Sequence, residues 1–357
     1  MKPKGLKKGD KVAIVSLSSG ILGESFAAHQ LALGKERLEA FGLEPVVMPH
    51  ALEGIEALEN HPEWRAEDLK SAFQDTSIKG IICAIGGDDT YRLLPYLMED
   101  QTFLKNVKKH PKVFTGFSDT TINHLMFYKL GMNSFYGPNF LSDVAELDKE
   151  LLPYAKKVIS GFFEGKELEG VLESSWWYEE RTDFSVEAIG TKRIRHLETK
   201  GIEILQGTRN VSGPLLGGCL ESLAECLTGG RYPDQLDIIN KYSIFPNLDE
   251  WKDKLLFIET SEEKPTPERF KEMILSLKNY GIFSVIKGVL VGKPQDEVEY
   301  EVYKEILVEV IDNQDLPIAY NLPFGHAYPR CILPYGVEAE IVIDDRQVIF
   351  KEPYFDK

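Results

Sequence analysis

The chain has 357 residues, 43% of them apolar, and 57 acidic against 41 basic side chains give a formal charge of −16. Its length suits two domains and its apolar content a sizeable core, while the acidity opposes a large phosphate-backbone footprint and so argues against nucleic acid as a partner. No stretch approaches the ~20 consecutive apolar residues of a membrane span, and the start "MKPKGLKKGDKVAIVSLSSG" carries charges where a signal peptide stays apolar, so the expectation is a cytoplasmic protein without membrane contact.

In chain order, "KVAIVSLSSG" reads as a strand closed by Ser and Gly. A helical stretch over Phe26 to Phe41 follows, then "EPVVMP", a helix near Trp64 to Phe73, and the run "IKGIICAIGG". Next come a helix over Tyr91 to Leu97, the run "KVFTGF" and a helix after Ser118. Near-continuous apolar strands alternating with helices predict a doubly wound parallel sheet of flavodoxin or Rossmann type over 1–150. From 151 to 210 the sequence loosens into a polar connection that carries "SSWWYEERTDF".

Order returns over 211–357, with a Gly pair and short helix in "VSGPLLGGCLESLAECLTGG" and a strand "KLLFIE". A helix over Pro267 to Tyr280, opened by Thr266 as N-cap, and a strand "IKGVLVG" follow. The tail has short strands separated by Pro, Gly and an Asp-Asp turn, which predicts a smaller, β-rich α/β domain. Cys83, Cys219, Cys226 and Cys331 are scattered without a C-x-x-C pair or a His cluster, so neither disulfides nor a metal site is expected. The basic stretches "KPKGLKK" and "KNVKKHPK" are short and read as solvated faces.

In "TGFSDTT" a serine stands between a strand and a helix whose Ile122, Leu125 and Met126 fall at helical spacing. Such a turn exposes a hydroxyl at the carboxyl end of a parallel sheet, and the following N–H groups, from Asp119 onward, could stabilise an oxyanion. The G-x-S-x-G elbow is matched only in part, since Thr120 replaces the second Gly, and helix capping by Ser118 or Asp119 accounts for the same residues. The second glycine turn, "CAIGGDDTYRLLPYL", could bring a Gly87 N–H beside that of Asp119; it is not a dinucleotide fingerprint.

A nucleophilic serine needs a base. His124 shares the helix of Ser118 but lies about 9 Å along its axis, out of reach of the hydroxyl. His326 in "LPFGHAYPR" follows an apolar strand between Gly325 and Pro329, as a rigidly held side chain would. To orient that imidazole, Glu259 ends the strand "LLFIE", and Glu221 in "GGCLES" is the rival, although a carboxylate in the first turn of a helix also has the helix dipole to explain it.

Together, "GDKVAIVSLSSG", "IGGDDTYRLLPYL", "GFSDTT", "GPLLGGCLESL", "LLFIETSEEKP" and "FGHAYPRCILPYG" resemble, in order and spacing over most of the chain, the serine peptidase family of bacterial LD-carboxypeptidases and microcin C immunity proteins. The resemblance implies a triad of Ser118 as nucleophile, His326 as base and then acid, and Glu259 as orienter, with no metal or cofactor and with a homodimeric assembly. Its branches differ in substrate: one removes terminal D-alanine from murein tetrapeptides, the other cleaves the amide that joins a peptide or amino acid to a modified nucleotide.

The first glycine turn, commonly R-G-G-Y-G in LD-carboxypeptidases, reads here Ile85-Gly86-Gly87-Asp88-Asp89, which makes Asp88 a candidate substrate contact and favours the immunity branch. Trp176 and Trp177 could stack on a nucleobase, or could anchor the long polar segment. A non-catalytic protein that binds a peptide carboxylate on the same helix N-terminus is the remaining alternative.

Overall fold

The computed structural model describes residues 1–356. They form two compact units, the first comprising Met1–Glu167, Arg181–Arg193 and the C-terminal residues from Tyr354, the second Leu168–Glu180 and Ile194–Pro353. Among the described residues no helix is long and apolar enough to cross a membrane.

The first unit is an α/β structure on parallel strands β1 (Lys11–Val15), β2 (Glu44–Val47), β3 (Ile78–Cys83), β4 (Val113–Gly116) and β5 (Phe135–Tyr136). They lie in the order β5-β4-β3-β1-β2, so β1 pairs with β2 on one side and β3 on the other. Strand order reverses there, and in such sheets the carboxyl ends at the reversal are where ligands are received. Strand β4 is buried throughout and all of β1 except Lys11 is buried, which is why these runs read as continuously apolar.

Helix boundaries follow local chemistry. Helix Pro62–Gln74 opens on a proline, and its Arg65, Ala66, Leu69, Ala72 and Phe73 make one buried face. The basic stretch "KNVKKHPK" begins inside helix Gln101–Lys109, whose Asp100 cap accepts the N–H groups of Thr102 and Phe103, and Lys108 and Lys109 fall in its last turn, where cations suit the dipole. The region over Tyr91 to Leu97 is divided between a 3₁₀ turn, Thr90–Leu93, and a short helix, Leu94–Met98, that begins just before Pro95. Within the polar connection stands helix Pro153–Phe163. Its Ala155, Val158, Ile159, Phe162 and Phe163 are buried, a helical stripe that intervening charges hide from a reading by composition.

The second unit is built on β8 (Glu203–Gln206), β9 (Val211–Cys219), β10 (Leu255–Glu259), β11 (Gly288–Gly292) and β12 (Ile318–Leu322). Strands β9 to β12 are parallel, β8 joins β12 antiparallel, and the antiparallel hairpin of Glu338–Val342 and Gln347–Phe350 joins β9. Between β10 and β11 runs helix Pro267–Tyr280, in which Thr266 Oγ1 accepts the Arg269 N–H and Gly281 closes the helix with φ +101°. Helix Tyr300–Ile311 supplies the crossover from β11 to β12. A separate ribbon pairs β6 (Trp176–Tyr178) with β7 (Arg195–Leu197). All four cysteines are buried and free of disulfides.

Candidate active site

In the first unit, three loops at the carboxyl ends of β1, β3 and β4 meet around Ser118. The serine is 9% exposed and has φ +68°, a left-handed conformation that a non-glycine residue rarely adopts. It begins a 3₁₀ turn, Ser118–Thr120, that feeds helix Thr121–Lys129, and no side chain caps that turn. The carboxylate of Asp119 instead accepts the hydroxyl of Ser18 at 2.7 Å and the Thr90 N–H at 2.9 Å, so capping does not account for either residue. The backbone N–H of Ser118 donates to the Tyr136 hydroxyl at 3.1 Å, and Thr121 Oγ1 donates to the Ser118 carbonyl at 2.7 Å.

The glycine turn after β3 presses on this elbow. A Cβ on Gly86 would lie 2.7 Å from Cβ and 2.9 Å from Oγ of Ser118, so only glycine allows the approach. The Gly86 carbonyl accepts the Ser19 N–H at 3.1 Å, while Gly87 has φ +153° and is exposed. Asp88 is half-buried. Its neighbour Asp89 is buried in a pair with Arg65, whose Nη2 lies 2.9 Å from Asp89 Oδ2 and whose Nη1 also donates to the Ser18 carbonyl at 3.1 Å.

Charge in this region is set by burial, which pushes Asp119 up to about 7 and His124 down to about 3. The His124 ring accepts the Ser134 hydroxyl at Nδ1 (2.7 Å) and donates from Nε2 to the Gly116 carbonyl (3.0 Å), a neutral structural role beside the elbow.

In the second unit the structure brings Glu259 and His326 together. Glu259 ends β10 with its side chain buried, and its Oε2 accepts both the backbone N–H of His326 at 3.0 Å and the ring Nδ1–H at 2.8 Å. Two glycines make room: a Cβ on Gly325, which has φ +87°, would stand 2.4 Å from that oxygen, and one on Gly292 would meet Glu259 Cβ at 2.8 Å. Arg330 Nη2 donates to the His326 carbonyl at 2.9 Å, holding the loop from behind.

The rival acid, Glu221, does not reach the histidine. Its Oε1 accepts the backbone N–H (3.0 Å) and hydroxyl (2.8 Å) of Ser261, and burial followed by the charge of Glu259 raises its carboxyl. Glu221 therefore anchors the turn that leaves Glu259. One partner of His326 was not legible in the sequence: Glu262, in that same turn, has Oε2 at 2.9 Å from Nε2. Burial alone would lower the imidazolium, but Glu259 at Nδ1 and Glu262 at Nε2 outweigh it and raise His326 to about 10, while Glu262, chiefly through its hydrogen bond to His326, falls to about 2.

Trp176 and Trp177 stand on β6 in this unit. The Arg195 guanidinium lies 4.3 Å from the Trp176 ring centroid, and Trp177 stacks on His196 at 4.2 Å with Lys293 Nζ 5.3 Å from its centroid. Both indoles line a narrow, partly open cleft with Lys293, Asn321, Ala327 and Tyr328, so the two residues after His326 belong to its wall. Asn321 Oδ1 is buried there without a hydrogen-bond partner. Among the described residues no group of three or more His, Cys, Asp or Glu side chains is placed to hold a metal ion.

The two α/β units fall where the sequence comparisons place two domains. The LD-carboxypeptidase N-terminal domain matches residues 12–137 and the LD-carboxypeptidase C-terminal domain residues 212–341; the chain belongs to this peptidase family. Among solved structures it is similar to an MccF-like protein from Streptococcus pneumoniae in complex with AMP, at 50% identity and a TM-score of 0.93, over 96% of this chain and 99% of that one. It is also similar to the microcin C7 self-immunity protein MccF of Escherichia coli, 26% identical over 81% of this chain and 78% of that protein. A structure of MccF holding aspartyl sulfamoyl adenosine superposes with a TM-score of 0.80 at 22% identity, over the full length of both chains. YocD of Bacillus subtilis, a carboxypeptidase by name alone, is 27% identical over 93% of each chain.

Proposed function

We propose that this family member is a serine peptidase whose triad is Ser118, His326 and Glu259, and that it hydrolyses the amide of an aminoacyl or peptidyl nucleotide. Ser118 Oγ attacks the amide carbonyl, His326 Nε2 takes its proton and returns it to the leaving nitrogen, and Glu259 holds the opposite ring N–H. The N–H groups of Gly87 and Asp119 are the oxyanion donors, and water then hydrolyses the acyl-enzyme with His326 again as base. The observation that carries this reading is the double acceptance by Glu259 Oε2, which fixes the tautomer and the tilt of the imidazole. The strained φ of Ser118 supports its role as nucleophile.

For the substrate, support comes from the AMP complex of the Streptococcus pneumoniae relative and from the Trp-lined cleft whose wall includes Ala327 and Tyr328, the residues that follow His326. Asp88, Trp176 and Trp177 are the proposed substrate contacts. The second reading, removal of D-alanine from a murein tetrapeptide, has the family's name in its favour.

Wild type and Ser118→Ala are compared on an aspartyl sulfamoyl adenosine and on an L,D-tetrapeptide. The expected result is cleavage of the nucleotide alone, lost in the variant. Release of D-alanine alone would move the protein to the second reading, and retained ligand binding without turnover in wild type would make it a binding protein.

A further inference from the structure

Glu262 is the feature of the second unit that the triad does not use. It lies three residues beyond Glu259, in a turn whose preceding residue, Ser261, is pinned by its N–H and hydroxyl to the buried Glu221. Its carboxylate stands 2.9 Å from His326 Nε2, the ring atom assigned above to take and return the serine proton. The imidazole side chain is 7% exposed and that of Glu262 is 65% exposed, so the base is fixed while its second partner can swing into solvent about its own side-chain torsions.

An imidazole with carboxylates at both nitrogens donates from both, and so is an imidazolium that cannot accept a proton. We propose that Glu262 is a displaceable positioning residue that holds His326 in this doubly donating form until substrate binding displaces it from Nε2, and thereby sets the pH above which the enzyme works. When Glu262 leaves, the Nε2 proton passes to solvent base and the ring becomes the neutral acceptor that Ser118 requires; no other group is consumed.

The remaining charges around the ring do not replace this contact. Glu259 holds Nδ1, and Arg330 and the neutral Gln295 amide donate to the backbone carbonyl of His326. Glu221, Cys219 and Tyr335 are buried near Glu259 and act through it. On the solvent side Arg231 pairs with Glu263 and adds to the lowering of Glu262.

The inference rests on His326 as the catalytic base, and two measurements keep the two claims separate. The first is the pH profile of kcat/KM for wild type, Glu262→Gln and Glu262→Asp on the aminoacyl sulfamoyl nucleotide, where the acid limb reports ionisation of the free enzyme. The second is a ¹⁵N NMR titration of the His326 ring in the same proteins without substrate. Expected are an acid limb and a ring titration that both move down by about one pH unit or more in Glu262→Gln, with roughly a tenfold gain over wild type on the acid limb, and near wild-type behaviour in Glu262→Asp.

Superimposable ring titrations in wild type and Glu262→Gln would overturn the proposal. A ring titration that moves in a protein showing no hydrolysis would retain Glu262 as the partner of His326 and remove the peptidase reading instead.

Discussion

A Cβ on Gly325 would stand 2.4 Å from Glu259 Oε2, so the residue before the histidine has to be glycine for one carboxylate oxygen to receive both N–H groups of His326. Gly325→Ala is expected to push the carboxylate aside and to strain a backbone held at φ +87°. Losing the orienting acid of a triad lowers turnover by up to about 10⁴-fold, and a loss of kcat on the order of 10²-fold or more is expected, with little change in KM. Steady-state kinetics on the aminoacyl nucleotide decides it; a variant with wild-type kcat would remove Glu259 from the mechanism.

Ser118 occupies a conformation that costs a non-glycine residue about 1 kcal/mol or more. Ser118→Gly relieves that strain and deletes the nucleophile, so thermal unfolding should shift upward while hydrolysis disappears. Ser118→Ala should be equally inactive without the gain in melting temperature. If both variants melt alike, the elbow is not strained in solution.

Arg65 is fully buried against Asp89 and also donates to the Ser18 carbonyl. Removing one partner of a buried ion pair costs about 3–5 kcal/mol when nothing else offsets the charge; here Arg92 Nη1, half-buried and 3.1 Å from Asp89 Oδ2, offsets part of it. Arg65→Ala should therefore lower the urea midpoint strongly, and Arg65→Ala with Asp89→Ala should recover part of the loss. A single variant as stable as wild type would show that Arg92 alone is enough to balance Asp89.

Burial pushes Asp119 up to about 7, above its value of about 4 in an unfolded chain, so the native state binds the proton more tightly. The stability this provides is present at low pH and is lost as pH rises from about 4 through about 7. Asp119→Asn keeps an acceptor for the Ser18 hydroxyl and the Thr90 N–H but has no proton to lose. Chemical denaturation at pH 5 and pH 8 should show the variant gaining on wild type at the higher pH; an equal difference at both would contradict the raised carboxyl.

The alternating first unit was legible because β1, β3 and β4, buried along nearly their whole length, leave near-continuous apolar runs. Ser118 was legible as a residue at the end of such a run, but its positive φ was not, because the neighbours that enforce it, Gly86 and Tyr136, arrive from other strands. Glu259 and Glu221 could not be separated by sequence: both are acids beside strand ends, and only the fold turns one to His326 and the other to Ser261. Glu262 carried no signal, since an acid in "TSEEKP" looks like any solvated turn, and its contact spans 64 residues of sequence. Helix Pro153–Phe163 was missed because its five buried residues alternate with lysines and small polar residues.

The burial of Cys83, Cys219, Cys226 and Cys331 has a practical side. Cys83 is pushed up to about 12 by burial, and Cys219 is raised by burial and by the carboxylates of Glu221 and Glu259, so neither supplies thiolate at neutral pH. Maleimide chemistry on the native fold should thus meet little background, and a single cysteine introduced at an exposed position such as Val186 could carry a fluorophore without first stripping the natural thiols.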